Sequence, residues 1–185
     1  MTRRKQLAGA LASALIAGAA WGQVPQGVTE VSADLDGDGV AEFFTLEVTE
    51  EAVGDLHVAA GGTEQVFENI AWAGSMYGTL PWLELSPGGS LQIHAANDAI
   101  GRNRWHLMLT IAWRQGAYRV AGLTYEWRDT LNLKDSGRCD INLLTGNGVV
   151  EDASGERLIA VTGEAPLLAD WQRDDGREGV LCGLW

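Results

Sequence analysis

Past the first two dozen residues, hydrophobic positions recur in short β-favouring runs broken by turn sequences. The turns are Gly54-Asp55, Gly61-Gly62, Pro87-Gly88-Gly89, Gln115-Gly116, Asp135-Ser136-Gly137, Gly146-Asn147-Gly148 and Ala153-Ser154-Gly155. Between them lie the expected strands Val40–Val48, Leu56–Ala60, Leu83–Leu85, Ser90–His94, Arg104–Trp113, Tyr118–Trp127, Ile141–Leu144 and Arg157–Val161. Short runs at close spacing predict a mainly β, antiparallel fold. Thr63–Trp72 is ambiguous: Val66, Phe67 and Ile70 share a helical face, which predicts a short helix, and a strand fits almost as well.

The sharpest local signal is the hairpin around Gln115-Gly116, a two-residue loop whose glycine suits positive φ. An unbroken register sets Trp113 opposite Tyr118, Ile111 opposite Val120, Leu109 opposite Gly122 and Leu107 opposite Thr124. The face carrying Trp113, Ile111, Leu109 and Leu107 is then core. The same register sets Met108 against Leu123, His106 against Tyr125 and Arg104 against Trp127, so the second face is not polar either. Cover by another layer gives an antiparallel β-sandwich or a partly open barrel; without cover, that face is an aromatic binding surface.

The first residues break this rhythm. Thr2-Arg3-Arg4-Lys5 is a short basic region, Leu7–Ala20 is an uncharged run, and small residues follow at Gly18-Ala19-Ala20 and Ala20-Trp21-Gly22. That pattern predicts a cleavable signal peptide over residues 1–22 and a periplasmic or secreted protein over 23–185. Arg3-Arg4 admits twin-arginine export beside the general route. No later run is long and apolar enough for a spanning helix, so stable membrane insertion is not expected. About 160 remaining residues suit one β-rich domain.

Charge sharpens the picture. The whole chain carries a formal net charge of -12, and losing Arg3, Arg4 and Lys5 takes it to -15. From Gln23 to Gly101 there is no Lys or Arg. Such a field repels phosphate backbones and excludes nucleic acid as a partner, while it favours cations. Cys139 and Cys182 are the only cysteines, and in an exported chain an even count predicts a disulfide.

The candidate chemistry lies in Asp34-Leu35-Asp36-Gly37-Asp38-Gly39-Val40-Ala41-Glu42. Aspartates at alternate positions of a tight loop turn their carboxylates toward one centre, and a glycine sixth in the loop permits the sharp turn. Asp34, Asp36, Asp38, Glu42 and the carbonyl of Val40 are the expected ligands, and calcium, which accepts many oxygen ligands flexibly, is the expected ion. Thr45 stands where an EF-hand places its bidentate glutamate, and Phe43-Phe44-Thr45-Leu46-Glu47-Val48 reads as a strand. The loop resembles the D-x-D-x-D-G calcium loops of FG-GAP and VCBS-type modules, found in integrin-like propellers and secreted bacterial proteins. Residues 99–146, including Ile100-Gly101-Arg102-Asn103-Arg104-Trp105-His106, are similar to small exported bacterial proteins with an FG-GAP/VCBS-like module. That resemblance transfers no catalytic residue.

Arg102, Arg104 and His106 form a basic cluster near Tyr125 and Trp127, a candidate ligand face. A structural reading instead stacks Arg104 on Trp127 and packs His106 against Tyr125. G-x-S-x-G, H-E-x-x-H, phosphate-loop and C-x-x-C patterns are absent, and His57, His94 and His106 lack zinc spacing. The leading expectation is therefore an exported calcium-binding β module that meets a protein or glycan partner without catalysis. The alternative is a periplasmic hydrolase or carbohydrate-active domain using carboxylates beside an aromatic face. A solvent-exposed row of His106, Tyr125 and Trp127 next to paired acids favours the alternative; a covered face favours the module.

Overall fold

Eleven strands form two antiparallel sheets in the computed structural model, which describes residues 29–173 and 176–184. The expected signal peptide, 1–22, lies outside the described residues. The smaller sheet holds β1 (Glu30–Ala33), β2 (Glu42–Val48), β3 (Val53–Ala60) and β4 (Thr63–Trp72), neighbours in chain order. The larger sheet holds β5 (Trp82–Leu85), β6 (Leu91–Asn97), β7 (Asn103–Arg114), β8 (Ala117–Asp129), β9 (Ser136–Asn142), β10 (Asn147–Asp152) and β11 (Gly155–Ala160), again in chain order. Two meanders packed face to face make a β-sandwich, and the sheets do not close into a barrel. A 3₁₀ turn (Leu168–Asp170) and a short helix, α1 (Arg177–Cys182), follow.

Alternation builds the core. Phe44, Leu46, Leu56, Val58 and Phe67 point inward from the smaller sheet, and Leu91, Ile93, Leu109, Ile111, Val120, Leu123 and Ile141 from the larger. Each fully buried side chain of this size contributes roughly 1.5–3 kcal/mol of transfer free energy. The Tyr118 ring sits edge-on to both Phe44 and Phe67, with centroids 6.0 and 5.9 Å away.

Two bulges correct the sequence expectations. Thr63–Trp72 is a strand throughout, not a helix. Opposite Asp55 the register slips, Asn69 takes φ 55°, and its N–H donates to Asp55 Oδ1 at 2.7 Å. The slip lets Phe67 and Ile70 both face inward, producing a three-residue spacing that imitates a helix turn. In β8 the expected pairs Trp113–Tyr118 and Ile111–Val120 are present, but Ala121 is surplus. Beyond it Leu109 faces Leu123, Leu107 faces Tyr125, His106 faces Glu126 and Arg104 faces Arg128. Every expected pair past Val120 is therefore displaced by one residue.

The C-terminal segment joins the core. Leu167 forms an isolated bridge to Arg119, and the Val120 N–H donates to Pro166 O at 3.0 Å. Leu168, Trp171 and Cys182 are fully buried in the cluster shared by the sheets. The Cys139–Cys182 disulfide ties α1 to β9. Among the described residues no helix is long and apolar enough to cross a membrane.

Candidate functional site

The acidic loop joins β1 to β2, and its backbone is folded around its own carboxylates. Asp34 accepts from the N–H groups of Gly37 and Gly39 at 2.8 and 3.0 Å. Asp36 accepts from Asp38 N–H at 3.0 Å, and Asp38 from Val40 N–H at 2.7 Å. Gly37 and Gly39 take φ 77° and 89°, conformations a side chain would strain.

Glu42 is the anchor. It is 1 % exposed, accepts Leu35 N–H on Oε2 at 2.7 Å and accepts the Tyr118 hydroxyl on Oε1 at 2.9 Å. Burial, followed by the bond to Glu42, raises the Tyr118 pKa, so the hydroxyl stays a donor. One carboxylate oxygen each from Asp34, Asp36 and Glu42 lies within 4.8 Å of the others. Asp38 stands outside this trio, with its carboxylate turned to Val40 N–H. The donor set is all hard oxygen, which matches calcium or magnesium rather than a thiophilic metal.

The expected ligand face is divided. Arg102 pairs with the buried carboxylate of Asp129, which also accepts from Leu131 and Asn132 N–H. The hydrogen bond from Arg102 holds that carboxyl below the usual range. Arg104, Tyr125 and Trp127 line one cavity of about 320 Å³ together with Trp105. Tyr125 stacks on Trp127 at 5.8 Å, and Arg104 Nη1 is buried without a hydrogen-bond partner. Arg104 does not stack on Trp127: the cation–π contact among the described residues is Arg177 over Trp171, at 5.2 Å.

His106 belongs elsewhere. The bulge at Ala121 sets it opposite Glu126, on the face away from Tyr125. There His106 Nε2 lies 3.0 Å from His94 Nδ1, and the indole of Trp82 lies over both rings, with centroids 4.6 Å from His94 and 5.3 Å from His106. Burial, helped by His106, lowers the His94 pKa to about 4, and burial lowers that of His106 as well. Both imidazoles are neutral at pH 7. The sequence offered no sign of this pair, because the residues come from separate strands and meet on a diagonal. The available hint was two histidines at outward positions of adjoining strands.

The two cysteines meet as expected in the disulfide described above. No protein-family model matches this chain, and comparison with curated proteins and with solved structures finds no significant similarity.

Proposed function

We propose that this chain is an exported β-sandwich module whose acidic loop takes up one calcium ion as a structural brace, in the manner of FG-GAP and VCBS-type loops. The observation carrying the reading is Glu42. The same buried carboxylate contributes an oxygen to the acidic trio, holds the start of the loop through Leu35 N–H, and holds the larger sheet through Tyr118. A cation bound by Asp34, Asp36 and Glu42 cancels repulsion among them and fixes the crossing from β1 to β2 against the core. Asp38 and the Val40 carbonyl complete the proposed ligand set. Calcium's larger, flexible shell suits a loop of this kind better than the strict octahedron of magnesium.

Export is supported by the basic-then-apolar leader in the sequence and by the disulfide. The module's partner is a protein or glycan, and the aromatic cavity of Trp105, Tyr125 and Trp127 is the place for it to engage. The hydrolase alternative draws no support from the geometry, since His106 and Tyr125 occupy opposite faces of the larger sheet.

Calorimetric titration of the metal-free protein tests the reading. One calcium event is expected, with a Kd on the order of 0.1–1 mM as in other extracellular modules, and Asp36→Ala should remove it. Equal heats from the two proteins would sink the assignment.

A further inference from the structure

The outer face of the larger sheet carries a second constellation, independent of the acidic loop. The His94 and His106 rings are within 20° of parallel, and their centroids are 5.2 Å apart. With nitrogens 3.0 Å apart, that separation is close to the longest two imidazoles permit. The rings therefore meet edge to edge, with the facing nitrogens aimed at each other. The indole of Trp82 roofs the junction, 8° from parallel to His94.

Behind each ring stands a carboxylate. His94 Nε2 is 3.7 Å from Glu84 Oε2, and His106 Nδ1 is 4.0 Å from Glu126 Oε2. Glu126 is itself held by Arg138 at 3.0 Å. Met108 lies directly across the strand pair from His94 and two residues from His106, on the same face of β7. At these distances neither carboxylate is hydrogen-bonded to its ring, and His94 Nε2 is buried without a hydrogen-bond partner, so the carboxylates supply nearby negative charge that favours a bound cation.

We propose that His94 Nδ1 and His106 Nε2, with Met108 beside them and Trp82 above, bind one soft monovalent cation, copper(I), for which silver(I) is a redox-inert probe. Two nitrogens facing head-on suit an ion of low coordination number. They need to part by about 1 Å to accept metal–nitrogen bonds of ~2 Å, and His106, only partly buried on an open face, has room to move. A thioether neighbour selects copper(I) over harder ions. The indole face favours a cation beneath it and sheds water from the site. Zinc is a poorer match, since its structural sites need four ligands.

The proton balance is internal. In the free protein one ring donates its N–H to the facing nitrogen of the other, whose own proton then sits on its outer nitrogen. On binding, the donor ring's proton moves to that ring's outer nitrogen, and both facing nitrogens take the metal. No net proton is lost from the pair.

The test is silver(I) titration of the protein followed by calorimetry and by ¹⁵N resonances of the histidine rings. One equivalent should bind, shift His94 Nδ1 and His106 Nε2, and leave both rings protonated on their outer nitrogens, His94 Nε2 and His106 Nδ1, while His57 stays unchanged. H106Q should weaken binding at least ~100-fold, because losing a group that only orients a ligand already costs about 10- to 100-fold. Met108→Leu should weaken it less. The ring resonances need no substitution and decide the matter even if H106Q fails to fold. Unmoved His94 and His106 nitrogens, or a folded H106Q that binds silver(I) as tightly as the unaltered protein, overturns the proposal.

Discussion

The Tyr118 hydroxyl donates to Glu42 Oε1 at 2.9 Å, across 76 residues of chain and inside the core. It links the far end of the acidic loop to the hairpin of the opposite sheet. A polar bond in this position specifies how the two sheets register against each other, because the apolar contacts around it are non-directional.

Tyr118→Phe keeps the ring contacts with Phe44 and Phe67 and removes only the hydroxyl. Glu42 Oε1 then loses its buried donor, which costs about 1–3 kcal/mol. At roughly 2–4 °C per kcal/mol for a domain of this size, differential scanning calorimetry should show a fall of several degrees. An unchanged midpoint would mean that water replaces the hydroxyl without penalty.

The disulfide encloses a loop with a sequence separation of 43 between Cys139 and Cys182. In the chain-entropy model its closure is worth roughly 4 kcal/mol. A Cys139→Ala/Cys182→Ala variant should melt on the order of 10 °C lower. Both sulfurs are fully buried, so mild reductant should reach them only through unfolding. The check is thiol labelling as a function of denaturant.

Gly137 faces Trp127 across the β8–β9 ladder. A Cβ there meets the indole of Trp127 and comes within 2.6 Å of Glu151 O, so a side chain forces strands apart. Gly137→Ala should destabilise by about 1–3 kcal/mol and alter tryptophan emission by tilting the Trp127 ring. A control at Gly89, where a Cβ meets nothing within 4 Å, should leave the emission unchanged.

His94 makes stability depend on pH in a defined window. Its folded pKa of about 4 lies below the ordinary imidazole value of 6.5, so between these values the unfolded chain holds a proton that the native state refuses. Stability is then fully present above pH 6.5 and falls as the pH drops toward 4. His106, lowered chiefly by burial, acts in the same direction, while Glu126 and Asp98 partly offset its shift and Arg138 adds to it. Denaturant midpoints measured across this range should slope less in His94→Gln. Parallel slopes in the two proteins would assign the dependence to other groups.

Alternation made much of this fold legible in the sequence. The inward set Leu109, Ile111 and Val120 follows from period two, and a loop of aspartates at alternate positions before Phe43 marks the start of β2. Two strands escaped, and β9 runs Ser136–Asn142, where the sequence predicts a turn at Ser136-Gly137 and a strand only at Ile141–Leu144. β1 has four residues, too few to show a period, and β10 begins with Asn147-Gly148, which reads as a turn. The bulges escaped for a different reason: a surplus residue costs the sequence nothing visible, since its hydrophobic neighbours merely shift by one. Misplacing Ala121 is what set His106 beside Tyr125 and hid the pairing with His94. In the acidic loop, spacing located the carboxylates but not the role of Glu42, whose partner Tyr118 arrives from another sheet.

The bulge at Ala121 also divides the company that β8 keeps. On one side β7 accompanies it along its whole length. On the other, β9 pairs only from Gly122 onward, and the Pro166–Leu167 segment takes over at Arg119 and Val120. Ala121 sits at the fork, and its carbonyl accepts Leu143 N–H at 2.9 Å where β9 departs. One surplus residue thus works as a railway point: it lets a single strand serve two successive neighbours on the same edge. The backbone groups of Arg119 and Val120, left free where β9 departs, are what the chain returning from β11 docks on.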